Sequence, residues 1–307
     1  MATVPKQGKV HIYESLKQID SDTWRIGSFI LHRTSGSSAT ATWTDESDNS
    51  SYTLTKASSS HPPATSSPNS PHISIIHQCG DASIVWAIGK SAVCKIRYIE
   101  KDVTPESVTL NFVQDQRPSF ETPKVLYHAF DEDRSYLFLQ RLPGATLDKA
   151  WPSLSEQSRM DCVKRVVDIC KEMSQWEGNW LGGVDHQYAP EDYLRPKGAK
   201  DYSSLQASCE TLGMDCSRFF FYHADLGPGN IIVEPESGRL SIIDFEIAGY
   251  FPKAWIRTKF RLSSGMNLSH EATSGDRGEW RKQVQIALGA EGFTDHAEAF
   301  MQWRKDR

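Results

Sequence analysis

The chain has 307 residues, of which 38% are hydrophobic and 24% are charged, and its formal net charge is −5. This length accommodates one large domain or two lobes, and the acidic balance argues against a nucleic-acid-binding protein, which usually carries a basic surface. No run approaches the roughly 20 apolar residues of a membrane helix, the six cysteines match no zinc-binding spacing, and the N-terminus lacks the apolar segment of a signal peptide. We therefore expect a cytoplasmic protein with no membrane partner.

Residues 1–71 are expected to form an N-terminal extension that is flexible in part. Residues 1 to about 33 contain one short apolar element around Trp24 and Leu31. Residues 34–71 are rich in Ser, Thr, Asp and Pro, and such a segment buries too little apolar surface to offset its ordering entropy. We predict mostly loop there, with a hairpin at residues 41–55, where apolar and polar residues alternate around a DNS turn.

Residues 72–142 are predicted to form a sheet-rich lobe. Short apolar runs bounded by turn residues are typical of strands, and the Gly89-Lys90 pair favours a tight hairpin turn. One segment has helical spacing instead, at residues 106–116. The five predicted strands are at 73–79, 83–89, 91–99, 124–130 and 135–142.

Residues 143–307 are predicted to form a mainly helical lobe. Ser153 and Glu156 have the spacing of a capping box, and apolar residues recur every three or four positions from there to about Trp176. Loop is expected at 177–200. Further helices are expected at 201–213, 277–289 and 294–305, with short strands at 219–223, 230–235 and 239–245.

Three polar residues in this lobe point to phosphoryl transfer. The loop that contains Asp225 and Asn230 lies between two apolar strands, and Asp244 ends a third. A carboxylate can accept the proton of an attacking hydroxyl, and amide and carboxylate oxygens are suitable ligands for Mg²⁺. Phosphoryl transfer depends on positioning and charge neutralisation, which one base and two metal ligands can supply.

The segment His223–Asn230, which reads HADLGPGN, resembles the catalytic loop of the aminoglycoside phosphotransferase and choline kinase superfamily. The segment that follows, IIDFE, is similar to the metal motif of that superfamily, with Glu246 in place of the protein-kinase glycine. The resemblance implies a two-lobed α+β protein-kinase-like fold, with an antiparallel sheet N-lobe and a mainly helical C-lobe. It also implies Asp225 as the catalytic base, Asn230 and Asp244 as metal ligands, and His223 as a residue that organises the loop.

The same resemblance extends to the sheet-rich lobe. Lys95 is similar to the kinase lysine that holds the nucleotide phosphates, and Glu106 to the acid that pairs with it. The turn before Ser83 has one glycine instead of a glycine-rich motif, but its backbone and the Ser83 hydroxyl could contact phosphates. The backbone of Gln140 and Leu142 corresponds to the linker that binds adenine. The resemblance implies ATP and Mg²⁺ in a cleft between the lobes.

We therefore expect an ATP- and Mg²⁺-dependent phosphotransferase that acts on a hydroxyl of a small molecule. A catalytically silent kinase-fold module that binds a ligand or partner is the alternative, because the nucleotide turn is poor in glycine and residues 34–71 have the composition of a disordered segment. A protein kinase is disfavoured by His-Ala-Asp in place of His-Arg-Asp.

The basic segment 248–260 has the position of a substrate-side loop, although such basic residues are usually solvated. The tryptophans are expected to be core residues, with a cage for a quaternary ammonium group as the alternative. The sequence does not specify the acceptor or the oligomeric state.

Overall fold

The computed structural model describes residues 11–58, 69–196, 202–234 and 237–306. The chain divides into two compact units. The first unit comprises Met1–Lys101 and Pro123–Arg141, and the second comprises Asp102–Thr122 and Leu142–Arg307.

The first unit begins with an antiparallel five-stranded sheet, here called the N-terminal sheet. Its strand order is β1-β2-β3-β5-β4, and a 3-10 turn at Ile12–Ser15 precedes it. The side chains that point to one face are apolar and buried, among them Trp24, Leu31 and Tyr52, which is the pattern of a half-buried sheet. The strands are β1 (Leu16–Gln18), β2 (Thr23–Ile26), β3 (Phe29–Ser35), β4 (Trp43–Asp45) and β5 (Ser50–Lys56).

The second sheet of this unit also has five antiparallel strands, in the order β6-β7-β8-β10-β9. One face carries Trp86, Cys94 and Phe138, which are buried in a common hydrophobic core with apolar residues of the N-terminal sheet. The two sheets therefore pack face to face within the first unit. The strands are β6 (Ile73–Cys79), β7 (Ser83–Ile88), β8 (Ala92–Tyr98), β9 (Val125–Asp131) and β10 (Arg134–Gln140).

The second unit is mainly helical and contains two small antiparallel sheets. The sheet β11-β14-β15 and the sheet β12-β13-β16 hold the polar loops described below. The strands are β11 (Ala145–Thr146), β12 (Glu177–Gly178), β13 (Phe219–His223), β14 (Ile231–Val233), β15 (Leu240–Ile242) and β16 (Ala248–Phe251). The helices are α1 (Glu106–Asp115), α2 (Leu147–Ala150), α3 (Glu156–Met173), α4 (Tyr202–Thr211), α5 (Lys253–Leu262), α6 (Glu279–Ala290) and α7 (Ala297–Lys305).

The N-terminal region differs most from the prediction. One short element was expected before residue 34, whereas three strands are present, and the predicted hairpin at 41–55 continues the same sheet as β4 and β5. The composition argument failed because only alternate residues of a half-buried strand need to be apolar. The parts of the loop predictions that fall on residues 59–68 and 197–200, and the predicted start of a helix at 201, lie outside the described residues.

Two smaller expectations in the second unit are also wrong. The helix cap is Ser155, whose hydroxyl accepts the N–H of Ser158 at 3.1 Å, so Ser153 and Glu156 do not form the predicted capping box. The segment predicted as a substrate-side loop is β16 followed by α5. The apolar spacing of Trp255, Ile256 and Phe260, all fully buried, is the helical signal that the prediction overlooked.

None of the helices in the described part of the chain combines the length and apolar character that a bilayer crossing requires.

Candidate active site

The loop between β13 and β14 is held tightly at both ends. Its backbone turns sharply, since the N–H of Gly227 bonds to the carbonyl of Asp225 at 2.7 Å and the N–H of Asn230 to that of Gly227 at 2.9 Å. A side chain at Gly227 would lie 3.1 Å from the Cα atom of Met266, so the loop also packs against the chain that follows α5. The polar side chains of the loop therefore project from a fixed backbone.

His223 connects this loop to the strand that leads to Asp244. Its Nε2 bonds to the carbonyl of Ile243 at 2.9 Å, and its Nδ1 accepts the N–H of Asp225 at 3.3 Å. A carbonyl can only accept and an N–H can only donate, so the ring is neutral with its proton on Nε2. Full burial lowers the pKa of His223, which agrees with the neutral form. The ring also packs against Phe245, with 4.7 Å between ring centroids.

Asp225 and Asn230 contact each other directly. The Asn230 amide nitrogen donates to the Asp225 carboxylate at 3.0 Å and to its backbone carbonyl at 2.9 Å. This arrangement leaves the amide oxygen of Asn230 as the group that can serve a cation. Burial raises the pKa of Asp225 and the charge of Asp244 adds to this effect, against opposing contributions from Lys259 and from the Asn230 hydrogen bond.

Asp244 follows β15 in a left-handed backbone conformation, with φ of 66°. The preceding residue, Ile243, donates its N–H to the carbonyl of Asn230 at 3.0 Å, so Asp244 lies next to the loop between β13 and β14. Asp and Asn tolerate this conformation better than most residues, but it carries a cost that the surrounding contacts must offset. The 3-10 turn that follows, Phe245–Ile247, fixes the direction of the chain.

A group of carboxylates surrounds this turn. The buried Glu106, at the start of α1, accepts the N–H of Phe245 at 3.1 Å through its Oε1. One carboxylate oxygen from each of Glu106, Asp244 and Glu246 lies within 4.8 Å of the others. Carboxylates and the nearby Asn230 amide form an all-oxygen donor set, which is the chemistry that Mg²⁺ requires. The residues present therefore fit a magnesium ion.

The predicted nucleotide residues of the first unit lie on one face of its second sheet. Lys95 pairs in register with Val85 and Leu137, and Ser83 begins β7 directly after the turn. Both point away from the buried face that carries Trp86, because side chains alternate along a strand. Gln140 ends β10, and its N–H bonds to the carbonyl of Lys124 at 2.9 Å.

The predicted site residues thus fall into two groups. His223, Asp225, Asn230, Asp244 and Glu106 come together in the second unit, as described above. Ser83, Lys95 and Gln140 belong to the first unit. Leu142 belongs to the second unit, as the first residue of its segment Leu142–Arg307. The pairing of Lys95 with Glu106 stays a prediction.

A buried ion pair beside the site was missed by the sequence analysis. The Lys259 ammonium of α5 lies 2.7 and 2.6 Å from the two carboxylate oxygens of Glu191, and both side chains are fully enclosed. Lys259 was expected to be solvated. Its position four residues after the buried Trp255 places it on the buried face of the helix, and this spacing is the signal that could have identified it.

Comparison with known proteins places the chain in a family. Residues 85–254 match the model of the phosphotransferase enzyme family. The chain belongs to this family. No curated protein matches the sequence.

Among solved structures, several aminoglycoside phosphotransferases match this chain. Aminoglycoside phosphotransferase APH(3'')-Id from Streptomyces rimosus matches with a TM-score of 0.51 and 15% identity, over 74% of this chain and 90% of that chain. Aminoglycoside-3'-phosphotransferase of type VIII matches with a TM-score of 0.47 and 14% identity, over 75% and 92%. The first similarity confirms the predicted kinase-like fold, with its antiparallel sheet lobe and mainly helical lobe.

Proposed function

We propose that this protein is an ATP- and Mg²⁺-dependent phosphotransferase that transfers the γ-phosphoryl group to a hydroxyl of a small molecule. The observation that carries the proposal is the contact of Asp225 with Asn230, next to the carboxylate group around Asp244, in a member of the phosphotransferase enzyme family. A base and a set of magnesium ligands held side by side are what in-line phosphoryl transfer requires.

Asp225 is the proposed base. One of its carboxylate oxygens is held by the Asn230 amide, which leaves the other oxygen for the proton of the substrate hydroxyl. Its backbone is held by the neutral His223 ring, so the carboxylate keeps its direction while the ring carries no competing charge. A positioned base of this kind accelerates proton transfer by about 10²- to 10⁴-fold.

Asn230 and Asp244 are the proposed metal ligands, and Glu106 fixes the turn after Asp244 through the Phe245 N–H. Magnesium, when bound, neutralises charge on the transferring phosphoryl group. In the first unit, Lys95 and the turn at Ser83 are proposed to contact the phosphates, and the backbone of Gln140 and Leu142 to bind the adenine.

The assignment of the base is tested by Asp225→Ala. We expect phosphorylation to fall by at least about 10²-fold, since the base is lost, while Mg-ATP still binds with nearly unchanged affinity. The acceptor is first identified by screening a metabolite library for ATP consumption, with mass spectrometry to detect the gain of a phosphoryl group. Asp192→Asn is the matched control, because Asp192 is an exposed carboxylate of the same unit with a surface partner, Arg195.

Two results would contradict the proposal. A fully active Asp225→Ala variant would show that another group is the base. For the metal, Asp244→Ala is expected to lose the Mg²⁺ dependence of nucleotide affinity, and an unchanged titration would remove Asp244 from the metal site.

The alternative is a kinase-fold module that binds nucleotide or another ligand without turnover. The turn before Ser83 favours it, because this turn has a single glycine and carries the carboxylate of Asp81. Nucleotide binding with no phosphorylated product across the whole metabolite library would support this alternative against the enzyme.

A further inference from the structure

The turn between β6 and β7 is short and has little intrinsic freedom. Three residues, Gly80, Asp81 and Ala82, connect the paired residues Cys79 and Ser83. The N–H of Ala82 bonds to the carbonyl of Cys79 at 3.0 Å, and only Gly80 has a positive φ, of 52°. A turn of this kind cannot wrap around phosphates as a glycine-rich loop does, so its position decides which groups its backbone can reach.

The tip of this turn is bound to the segment that enters the N-terminal sheet. One carboxylate oxygen of Asp81 accepts the backbone N–H of Ile12 at 2.7 Å, and the other accepts the Tyr98 hydroxyl at 3.0 Å. The His11 ring nitrogen lies 3.4 Å from the first oxygen. Partial burial raises the pKa of Asp81, but these hydrogen bonds outweigh burial and hold the pKa below its ordinary value. The carboxylate is therefore charged and bound at neutral pH.

The segment that binds Asp81 is itself fixed. Ile12 is fully buried and begins the 3-10 turn Ile12–Ser15, and its side chain lies in the core shared by the two sheets. That core covers the face of the second sheet opposite to Lys95. The N-terminal sheet thus supports the second sheet from behind and, through Ile12 and Asp81, also holds the turn at its end.

We infer that the N-terminal sheet positions the phosphate-binding turn, and that Asp81 is the positioning residue through which it does so. The inference rests on the proposed function, because Ser83 and the backbone of this turn are the groups proposed to contact the phosphates. Holding the turn in its binding conformation before the nucleotide arrives reduces the ordering cost of binding. In this chain, the hydrogen-bonded carboxylate of Asp81 sets the geometry of the turn, in the absence of a glycine-rich loop.

The test compares Mg-ATP affinity in three variants of the full chain. Asp81→Ala removes both hydrogen bonds to the turn, and we expect the dissociation constant to rise about tenfold. Asp81→Asn keeps an acceptor for the Ile12 N–H and an amide that can pair with Tyr98, so it is expected to bind nearly as well as the natural protein. Tyr98→Phe removes one of the two bonds, and an increase of about threefold is expected.

Glu132→Gln is the matched control. Glu132 is an exposed carboxylate in the hairpin turn between β9 and β10, and the strand register puts this turn at the same end of the same sheet as the turn with Asp81. The Mg-ATP affinity of Glu132→Gln is expected to be unchanged. Thermal unfolding without nucleotide is measured for every variant. A purely structural role would lower the melting temperature of Asp81→Ala and leave the Mg-ATP affinity of the folded variant unchanged.

Each outcome has a defined meaning. If Asp81→Ala binds Mg-ATP as well as or more tightly than the natural protein, the carboxylate does not position the turn for binding and the inference is wrong. If Asp81→Asn binds as weakly as Asp81→Ala, charge and not geometry matters, and the inference is also wrong. If the natural protein does not bind Mg-ATP, the proposed function fails and the inference with it. Should Asp81→Ala not fold, Tyr98→Phe and Asp81→Asn decide alone.

Discussion

The buried pair of Glu191 and Lys259 offers a sharp test of the energetics around the site. The Glu191 carboxylate accepts two hydrogen bonds from the Lys259 ammonium, one from the Trp255 indole at 3.2 Å and one from the backbone N–H of Tyr193 at 3.0 Å. The ammonium also lies 4.3 Å from the centroid of the Tyr193 ring. Glu191 and Lys259 are only 1% and 3% exposed, so neither can turn to water.

We predict that Lys259→Met destabilises the protein severely. The variant leaves a buried carboxylate with neutral donors only, and breaking a buried ion pair from one side costs about 3–5 kcal/mol. The free energy of unfolding of a typical domain is about 5–15 kcal/mol, so this loss is a large part of the stability. The double variant Glu191→Gln with Lys259→Met carries no charge and keeps an acceptor for Trp255. It is expected to be more stable than Lys259→Met alone, since neutral replacement of both partners often costs little.

The pH dependence gives the prediction a second, independent readout. Burial raises the pKa of Glu191 above its ordinary value of 4.5, and the Lys259 ammonium opposes this shift. Without Lys259, the folded variant holds a proton on Glu191 to higher pH than the unfolded chain does. A group whose pKa is raised in the folded state stabilises it at low pH, and this contribution is lost as pH rises through that value. The free energy of unfolding that Lys259→Met loses relative to the natural protein should therefore be larger at about pH 8 than at about pH 5.5.

Urea denaturation of the natural protein, the single variants and the double variant at both pH values is the assay. The result is expressed as the free energy of unfolding, and the double-mutant cycle gives the coupling between the two side chains. A deficit for Lys259→Met below about 1 kcal/mol, within the range of an exposed ion pair, would refute the reasoning. So would a deficit that does not change with pH.

Two further predictions concern backbone contacts. Gly249→Ala would place a Cβ atom 2.4 Å from the carbonyl oxygen of Gly182, so we expect a loss of about 1–3 kcal/mol in urea denaturation; Gly265→Ala, where the nearest atom is 3.5 Å away, is the control and should be nearly neutral. Asp45→Ala removes the acceptor for the N–H groups of residues 90 and 91, at 2.6 and 3.1 Å, with an expected loss of about 1–3 kcal/mol at neutral pH. Hydrogen bonds outweigh burial and hold the pKa of Asp45 below its ordinary 3.8, so this loss should shrink as pH falls through the folded value. Equal losses at neutral and at acid pH would contradict the role of Asp45.

The second sheet of the first unit was predicted strand by strand from the sequence. Each strand is a short apolar run, and glycine or charged turn residues separate successive runs, as at Gly89. The loop between β13 and β14 was equally visible, because Asp225 and Asn230 are five residues apart in the chain and lie between two apolar strands. Signals of this kind are local, and local signals are readable from a single sequence.

Only the β4–β5 hairpin of the N-terminal sheet was predicted, and the reason lies in the residues of the other strands. β3 buries Phe29, Ile30 and Leu31 at its start and continues into the more exposed polar residues of its second half. Averaged over a window, such a segment has the composition of a loop. Three consecutive apolar residues followed by four polar ones show no period-2 alternation, so the strand pattern does not identify β3.

The long-range contacts near the proposed site residues are the ones that composition and motif cannot reveal. Glu191 and Lys259 are 68 residues apart, and Asp81 and Ile12 are 69 residues apart. The partner of Asp81 is a backbone N–H, which every residue except proline offers, so the side chain at position 12 does not encode the contact. Glu106 likewise acts on a backbone N–H, that of Phe245, 139 residues away. The sequence therefore identifies the groups that would perform the chemistry, whereas the groups that hold them in place become visible only when the chain is folded.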